Sequence, residues 1–303
     1  MKRVLLTGAT GFIGRHCLPL LLEKGFEVYA VTSKLPVVSD DPRVHWISSN
    51  LLEEGGVARL FRENSYSHLL HFAWFVVPGE CYTSLENFRW VETSLQLLRT
   101  FTEKGGRRAV FAGSCAEYDW RYGFCSERLT PLKPLSTYGI CKKALQEMFT
   151  EFTGKTGMSA AWGRIFFLYG PFEDSSRLVA SVIFSLLQKK PALCSHCRQI
   201  RDYMYVLDVA AAFVHLLDCD AQGEINICSG KPLILKELVE KIAVELGGRD
   251  LLRIGALPGS SDEPPLLIGD AGRLESEVGF VPAYDLDDGI RETIAWWREA
   301  VKK

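Results

Sequence analysis

The stretch Thr7-Gly8-Ala9-Thr10-Gly11-Phe12-Ile13-Gly14 constrains this chain more than any other. It follows directly on the apolar Val4-Leu5-Leu6 and opens a helical pattern, so it reads as a strand-to-helix turn. In the spacing G-x-x-G-x-x-G, Gly8 permits the tight turn and Gly11 lets the backbone approach a pyrophosphate without a Cβ in the way. Gly14 allows the helix to pack closely on the strand. Phosphates would sit on the free N–H groups of the helix N-terminus. The competing reading is a packing turn that binds nothing.

Beyond the turn the pattern alternates. A helix is predicted from Phe12 to Lys24, closed by Gly25, then strands at Glu27 to Thr32 and Val44 to Ser48 and a helix at Val57 to Glu63. Ser67 to Ala73 reads as a strand ending in Trp74, Thr83 to Lys104 as a helix stopped by Gly105-Gly106, and Arg108 to Gly113 as a buried strand ending at Ser114. Such alternation predicts an α/β fold, a doubly wound parallel sheet with helices on both faces. Residues 118–136 read as a loop over the carboxyl ends of the strands, where ligands bind in such sheets. A helix follows at Thr137 to Thr153, then a strand at Ser159 to Leu168 and a stop at Tyr169-Gly170-Pro171. The helix Arg177 to Lys189 and the proline-rich Leu257 to Pro265 break the alternation and point to a smaller second lobe. Tyr203 to Val206, the helix Asp208 to Leu217 and the strand Glu224 to Cys228 are expected to return to the first sheet, which makes the lobes interleaved. The expected division is a dinucleotide-binding domain at 1–169 with about 203–228, and a C-terminal substrate lobe at about 170–202 and 229–303.

With 303 residues and a net charge of -2, the chain can bury a large core and shows no electrostatic footprint for nucleic acid or an anionic membrane. Apolar runs are short and broken by charge, so a cytoplasmic location is the expectation. Nine cysteines, an odd number scattered through predicted strands and helices, suit reduced thiols better than a disulfide framework. Cys194-Ser195-His196-Cys197 has the inner spacing of a zinc half-site, but no second pair lies at the matching distance, and no metal is expected.

Tyr138 and Lys142 lie four apart at the start of a predicted helix and share a face. A phenol with an ordinary pKa near ~10 exchanges protons poorly at neutral pH, and an ammonium beside it lowers that value. Ser114, at the carboxyl end of its strand, could hydrogen-bond the same reacting oxygen.

With these residues in place the chain resembles an extended short-chain dehydrogenase/reductase of the nucleotide-sugar epimerase/dehydratase/reductase group, over nearly its whole length. Thr7 to Gly14 is similar to the family's TGxxGxxG, Ser114 to its active-site Ser/Thr four before Tyr118, and Tyr138-Gly139-Ile140-Cys141-Lys142 to its YxxxK. Tyr169-Gly170-Pro171 resembles YGP, Arg201 to Val209 the RDxxxVxDV segment, and Asn226-Ile227-Cys228-Ser229-Gly230 the NxGSG-like strand end. The resemblance implies a Rossmann fold, Tyr138 as general acid/base, Lys142 on the nicotinamide ribose, Ser114 on the sugar oxygen and Arg201 on the nucleotide diphosphate. Cofactor contacts are expected from Gly8, Thr10, Gly11, Phe12, Ile13, Gly14 and Arg15, from Thr32, Ser33 and Lys34, from Asn50 and Leu51, from Phe72, Ala73 and Trp74, and from Tyr138 and Lys142. Substrate contacts are expected from Ser114, Cys115, Phe167 and Arg201. A homodimer through the helices at 83–104 and 137–153 is also implied, with Trp90, Leu97, Leu145 and Phe149 as apolar residues beyond one face.

The departures narrow the chemistry. Members that eliminate water carry Asp-Glu directly after the active-site Ser/Thr, where this chain has Cys115-Ala116. Members that epimerise C3 or C5 keep a Cys at the place of Ala116. The Asn that usually precedes YGP is Phe167, and an Arg expected near Gly259-Ser260-Ser261 is missing. The second strand ends in Thr32-Ser33-Lys34 instead of a carboxylate that would accept from the ribose diol, and Arg15 follows the glycine turn. A hydroxyl and two cations favour NADP(H) over NAD(H). The sequence expectation is therefore an NADPH-dependent 4-ketoreductase of a nucleotide-linked, 6-deoxy sugar, with a 4-epimerase as runner-up and a non-catalytic NADP-binding regulator as the alternative of another class.

Overall fold

The computed structural model describes residues 2–33, 39–259 and 263–302. Lys34, Ser260 and Ser261 lie outside them. The first half is built from β1 (Lys2–Thr7), α1 (Gly14–Glu23), β2 (Phe26–Thr32), β3 (Val44–Ser48), α2 (Gly56–Leu60), β4 (His68–His71), α3 (Glu86–Glu103) and β5 (Arg108–Ser114). Then come β6 (Phe124–Cys125), α4 (Thr137–Thr156), β7 (Ser159–Ile165), β8 (Phe167–Tyr169), α5 (Leu178–Leu187), β9 (Ala192–Cys194), β10 (Ile200–Arg201) and β11 (Tyr203–Tyr205). The last stretch holds α6 (Val206–Asp218), β12 (Gly223–Ile227), β13 (Leu233–Ile234), α7 (Leu235–Glu245), β14 (Leu252–Ile254), β15 (Leu266–Gly269), α8 (Gly272–Ser276) and α9 (Leu286–Ala300).

Seven parallel strands form the main sheet in the order β12-β7-β5-β4-β1-β2-β3, the doubly wound arrangement that the alternation predicts. Alternate residues of each strand face opposite layers. Val4 and Leu6 pack under α1 and α6 with Cys17, Leu21, Val209 and Phe213, whereas Leu5 and Phe111 pack under α3 and α4 with Leu97, Phe101, Leu145 and Phe149. Each fully buried side chain of this kind is worth about 1.5–3 kcal/mol. Leu97, Leu145 and Phe149 are thus core residues, and Trp90 packs on Trp74. The exposed apolar residues of these two helices are instead Phe88, Ile140 and Met148. A third core, with Val179, Ile183, Leu238, Ile242, Ile290 and Trp297, joins α5, α7 and α9 beside the sheet.

Three expectations change. The strand predicted from Ser159 to Leu168 breaks at Phe166: β7 ends at Ile165, and Phe167 to Tyr169 peels off to pair with β11 as a separate two-stranded sheet. The break follows hydrogen bonding, because the Phe166 N–H still donates to Ile227 of β12 whereas the Phe167 N–H donates to Asp202. For the same reason Tyr203 to Tyr205 does not enter the main sheet, while Gly223 to Ile227 does, as its edge beside β7. Helix α1 also begins at Gly14 and not at Phe12, since the intervening residues belong to the turn.

Candidate active site

At the carboxyl edge of β1 the turn is close-packed backbone. Gly8 has φ 69°, and a Cβ there would stand 2.9 Å from the Ala73 nitrogen. A Cβ on Gly14 would meet the Gly8 carbonyl oxygen at 2.2 Å, and the Gly11 N–H donates to that oxygen at 2.9 Å. The capping residue of α1, Ile13, has no side-chain acceptor to offer. The N–H groups of Phe12, Ile13 and Gly14 find no backbone acceptor among the described residues. A cradle that any Cβ would fill, with unspent donors at a helix start, suits the pyrophosphate of a dinucleotide.

The other residues expected around a cofactor fall on the same edge. Phe72 packs against Phe213 at 4.8 Å, and the Ala73 N–H donates to Thr7 Oγ1 at 3.3 Å, which seats the end of β4 against the turn. Asn50 caps the turn after β3 by accepting from the Leu52 N–H at 3.2 Å, and Leu51 is buried. Thr32 is buried at the end of β2, and Ser33 is exposed. Arg15 folds back on the turn: its guanidinium donates to the carbonyls of Thr10 and Gly11 and lies 4.0 Å from the centre of the Phe172 ring.

Ser114 ends β5, and α4 starts under the cap of Ser136, whose hydroxyl accepts from the Gly139 N–H at 3.1 Å. Gly139 lets α4 press against the 3-10 turn Cys115–Glu117, since a Cβ there would stand 2.4 Å from the Ala116 carbonyl oxygen. This approach sets Tyr138 near enough to Ser114 for the serine hydroxyl to act on the ionisation of the phenol. Tyr138 is packed edge-on against Trp74 and Tyr82, and its N–H donates to the Tyr82 carbonyl at 3.2 Å. Burial pushes its phenol well above the ordinary value, and the nearby Ser114 hydroxyl offsets only part of that. Lys142 is buried one turn on. Its ammonium donates to the Ala112 carbonyl at 2.8 Å and lies 3.6 Å from the centre of the Trp74 ring, against 5.9 Å for the Tyr138 ring. Burial lowers the Lys142 pKa, and Glu117 raises it. The expected lowering of the phenol by the lysine is therefore reversed, because desolvation outweighs it while the ammonium is turned to Ala112 and Trp74. Tyr138 stands here as a protonated acid.

Of the expected substrate contacts, Phe167 and Arg201 meet: the guanidinium lies 5.4 Å from the ring centre. Arg201 is almost wholly buried, with Nη2 3.7 Å from Glu263 Oε2 and Nη1 donating to the Ile200 carbonyl at 3.0 Å. Cys115 is close enough to Arg201 and Tyr138 to act on their ionisation. Its thiol packs in an apolar cluster with Tyr118, Cys125, Phe166 and Leu267. Glu117, Arg164 and Glu263 are the residues that sequence reasoning missed. The one signal for the first two was a charged Arg164 inside the otherwise uncharged run Ala160-Ala161-Trp162-Gly163. Among the described residues no group of three or more His, Cys, Asp or Glu could hold a metal ion, and no helix is long and apolar enough to cross a membrane.

Comparison with known proteins agrees with this architecture. The family profile described as NAD dependent epimerase/dehydratase matches residues 4–228. A UDP-glucose 4-epimerase of Azospirillum brasilense is 26% identical over 98% of this chain and 92% of its own length. A dTDP-6-deoxy-L-talose 4-dehydrogenase (NAD(+)) of Aggregatibacter actinomycetemcomitans is 25% identical over 80% of this chain and 90% of its own. The crystal structure of the Thermus thermophilus UDP-glucose 4-epimerase complex with NAD superposes with a TM-score of 0.84 at 25% identity, covering 98% of this chain and 99% of that one. Glycine cradle, parallel sheet and the Ser114, Tyr138 and Lys142 cluster all fall within or beside the matched span, and the chain belongs to the NAD dependent epimerase/dehydratase family.

Proposed function

We propose that the chain transfers hydride at C4 of a nucleotide-diphosphate sugar. The observation that carries this reading is the convergence of Ser114, Tyr138 and a buried Lys142 at the carboxyl edge of the sheet, beside the glycine cradle. A nicotinamide dinucleotide bound on the cradle supplies the hydride chemistry. Tyr138, protonated in its buried setting, gives its proton to the C4 oxygen or recovers it, and Ser114 holds the same oxygen by a hydrogen bond. Lys142 would hold the nicotinamide ribose of that cofactor. Arg201 stands ready for the diphosphate, with Glu263 as its resting partner. Loss of water is disfavoured, since Cys115 and Ala116 carry no acid and the next carboxylate, Glu117, is engaged with Arg164.

Of the two outcomes of C4 redox, epimerisation is the one the relatives favour, several of them being named 4-epimerases. Net reduction of a 4-keto group, the lead expectation of the sequence, draws its support from the absence of a carboxylate at Thr32 and Ser33, which leaves a 2′-phosphate unopposed, and from the dTDP-6-deoxy-L-talose relative. Incubation with UDP- and dTDP-hexoses and their 4-keto-6-deoxy forms, in the presence of NAD(H) or NADP(H), separates the two. Inversion at C4 without net cofactor consumption marks an epimerase, and stoichiometric oxidation of NADPH marks a reductase. No turnover of any sugar with either cofactor would refute the proposal.

A further inference from the structure

Glu117 is a fully buried carboxylate that the steps above leave unused. It closes the 3-10 turn after Ser114, where the Ser114 hydroxyl caps the turn and the Glu117 side chain accepts from the Ser114 N–H at 2.8 Å. A reciprocal cap of this kind satisfies two donors and fixes the backbone of the capping residue. The same carboxylate accepts from Trp162 Nε1 at 3.0 Å and from Arg164 Nε at 2.6 Å. Arg164 in turn donates to the Tyr118 hydroxyl at 3.2 Å, and that hydroxyl donates to Asn226 Oδ1 at 2.7 Å. Gly113 makes the room, because a Cβ there would stand 2.0 Å from Trp162 Nε1 and 2.7 Å from Glu117 Oε1.

An ion pair kept only for stability is an expensive choice at this depth, where desolvation costs several kcal/mol per ion and an apolar pair of the same volume does as well. This pair is oriented, with its negative end on the Ser114 backbone and its positive end toward Tyr118. The groups around Lys142 give that orientation a use. Tyr138 on its own helix, with Tyr82 and Cys115 beside it, is held neutral by burial, as is His71 from β4, and β5 contributes the Ala112 carbonyl. Glu117 is the anion that acts on the Lys142 ammonium against its burial.

We propose that Glu117 is a positioning residue of the reaction centre, which locks the Ser114 backbone and sets a buried carboxylate on the same end of β5 whose Ala112 carbonyl holds Lys142. The role rests on the hydride-transfer reading, and its test includes a readout that does not. Glu117→Gln keeps the volume and an acceptor for the Ser114 N–H while removing the charge, so Lys142 gives up its proton at lower pH. The alkaline limb of kcat/KM, and that of NAD(P)H affinity measured by fluorescence without any sugar, should both move down by about one pH unit. Glu117→Val, which also frees the Ser114 backbone, should lower kcat on the order of 100-fold at every pH. A purely structural role would leave the limbs of Glu117→Gln in place. If the stranded guanidinium prevents folding, the double variant Glu117→Gln/Arg164→Met should fold and show a smaller shift of the same sign. Unmoved limbs in whichever variant folds, or failure of both to fold, would overturn the proposal. Failure of the hydride-transfer reading would appear separately, as wild-type protein that binds cofactor and turns over no sugar.

Discussion

At the scale of single residues the reaction centre is a balance between burial and pairing. Tyr138 and Lys142 are both displaced toward their neutral forms by desolvation, and Ser114 and the Glu117 carboxylate respectively oppose it. Tyr138→Phe removes the proton donor and little of the pocket, so kcat should fall by about 10²–10⁴ while cofactor affinity stays near that of the wild type. Lys142→Ala should weaken both, because in the proposed reaction its ammonium holds the nicotinamide ribose. Steady-state kinetics beside fluorescence titration with NAD(P)H check the pair, and a Tyr138→Phe enzyme of near-normal activity would remove Tyr138 from the proposed role. Ser114, Tyr138 and Lys142 were legible in the sequence because each sits at a fixed offset within one strand end or one helical turn. Glu117 and Arg164 were not, since they meet only when β5 and β7 pair side by side. The resting direction of the Lys142 side chain was equally out of reach, for it depends on Trp74 arriving from the end of β4.

Among the elements, the glycine turn and the connection after β8 answer to opposite physics. Helix α1 can dock on β1 only because Gly14 brings no Cβ to the Gly8 carbonyl, so Gly14→Ala should force the turn open, lowering Tm by several degrees and abolishing cofactor binding. A soluble variant that still binds NAD(P)H with wild-type affinity would contradict this. After β8 the chain buries Glu173, whose carboxyl is pushed up to about 8 by desolvation against the pull of Arg177, and whose Oε2 has no partner. The folded protein thus keeps a proton that the unfolded chain releases above the ordinary 4.5, and stability contributed by this group falls as pH rises from there and levels off above about 8. Glu173→Gln should flatten that decline in thermal unfolding followed from pH 5 to 9, and parallel curves for the two proteins would exclude it. Periodicity made the seven main strands readable, because a buried parallel strand is an apolar run of fixed length. The two-residue strands β6, β10 and β13 carry no such period, and the peeling of β8 from β7 is set by a partner, β11, that lies more than thirty residues downstream.

For the molecule as a whole, what the core leaves uncovered is as informative as what it takes in. Helices α3 and α4 pack side by side over one face of the sheet, and their inward residues, including Leu97, Leu145 and Phe149, are spent there. On the outer side Phe88, Ile140 and Met148 remain exposed, with Leu85 just ahead of α3 and Leu135 just ahead of α4. Large apolar side chains gathered on one helical pair invite a matching surface, and a two-fold pairing of α3 and α4 with their mates is the simplest closed solution. We expect a homodimer through this face. Ile140 lies two residues beyond Tyr138, so the partner would also steady the N-terminal turn of α4 that presents the phenol. Phe88→Asp combined with Ile140→Asp places charge where apolar area would be buried, and the resulting protein should sediment as a monomer, with kcat lowered more than cofactor affinity because the glycine cradle lies on other elements. Sedimentation velocity at micromolar concentration decides the matter: a wild-type protein of monomeric mass, or a double variant still dimeric, would refute this assembly.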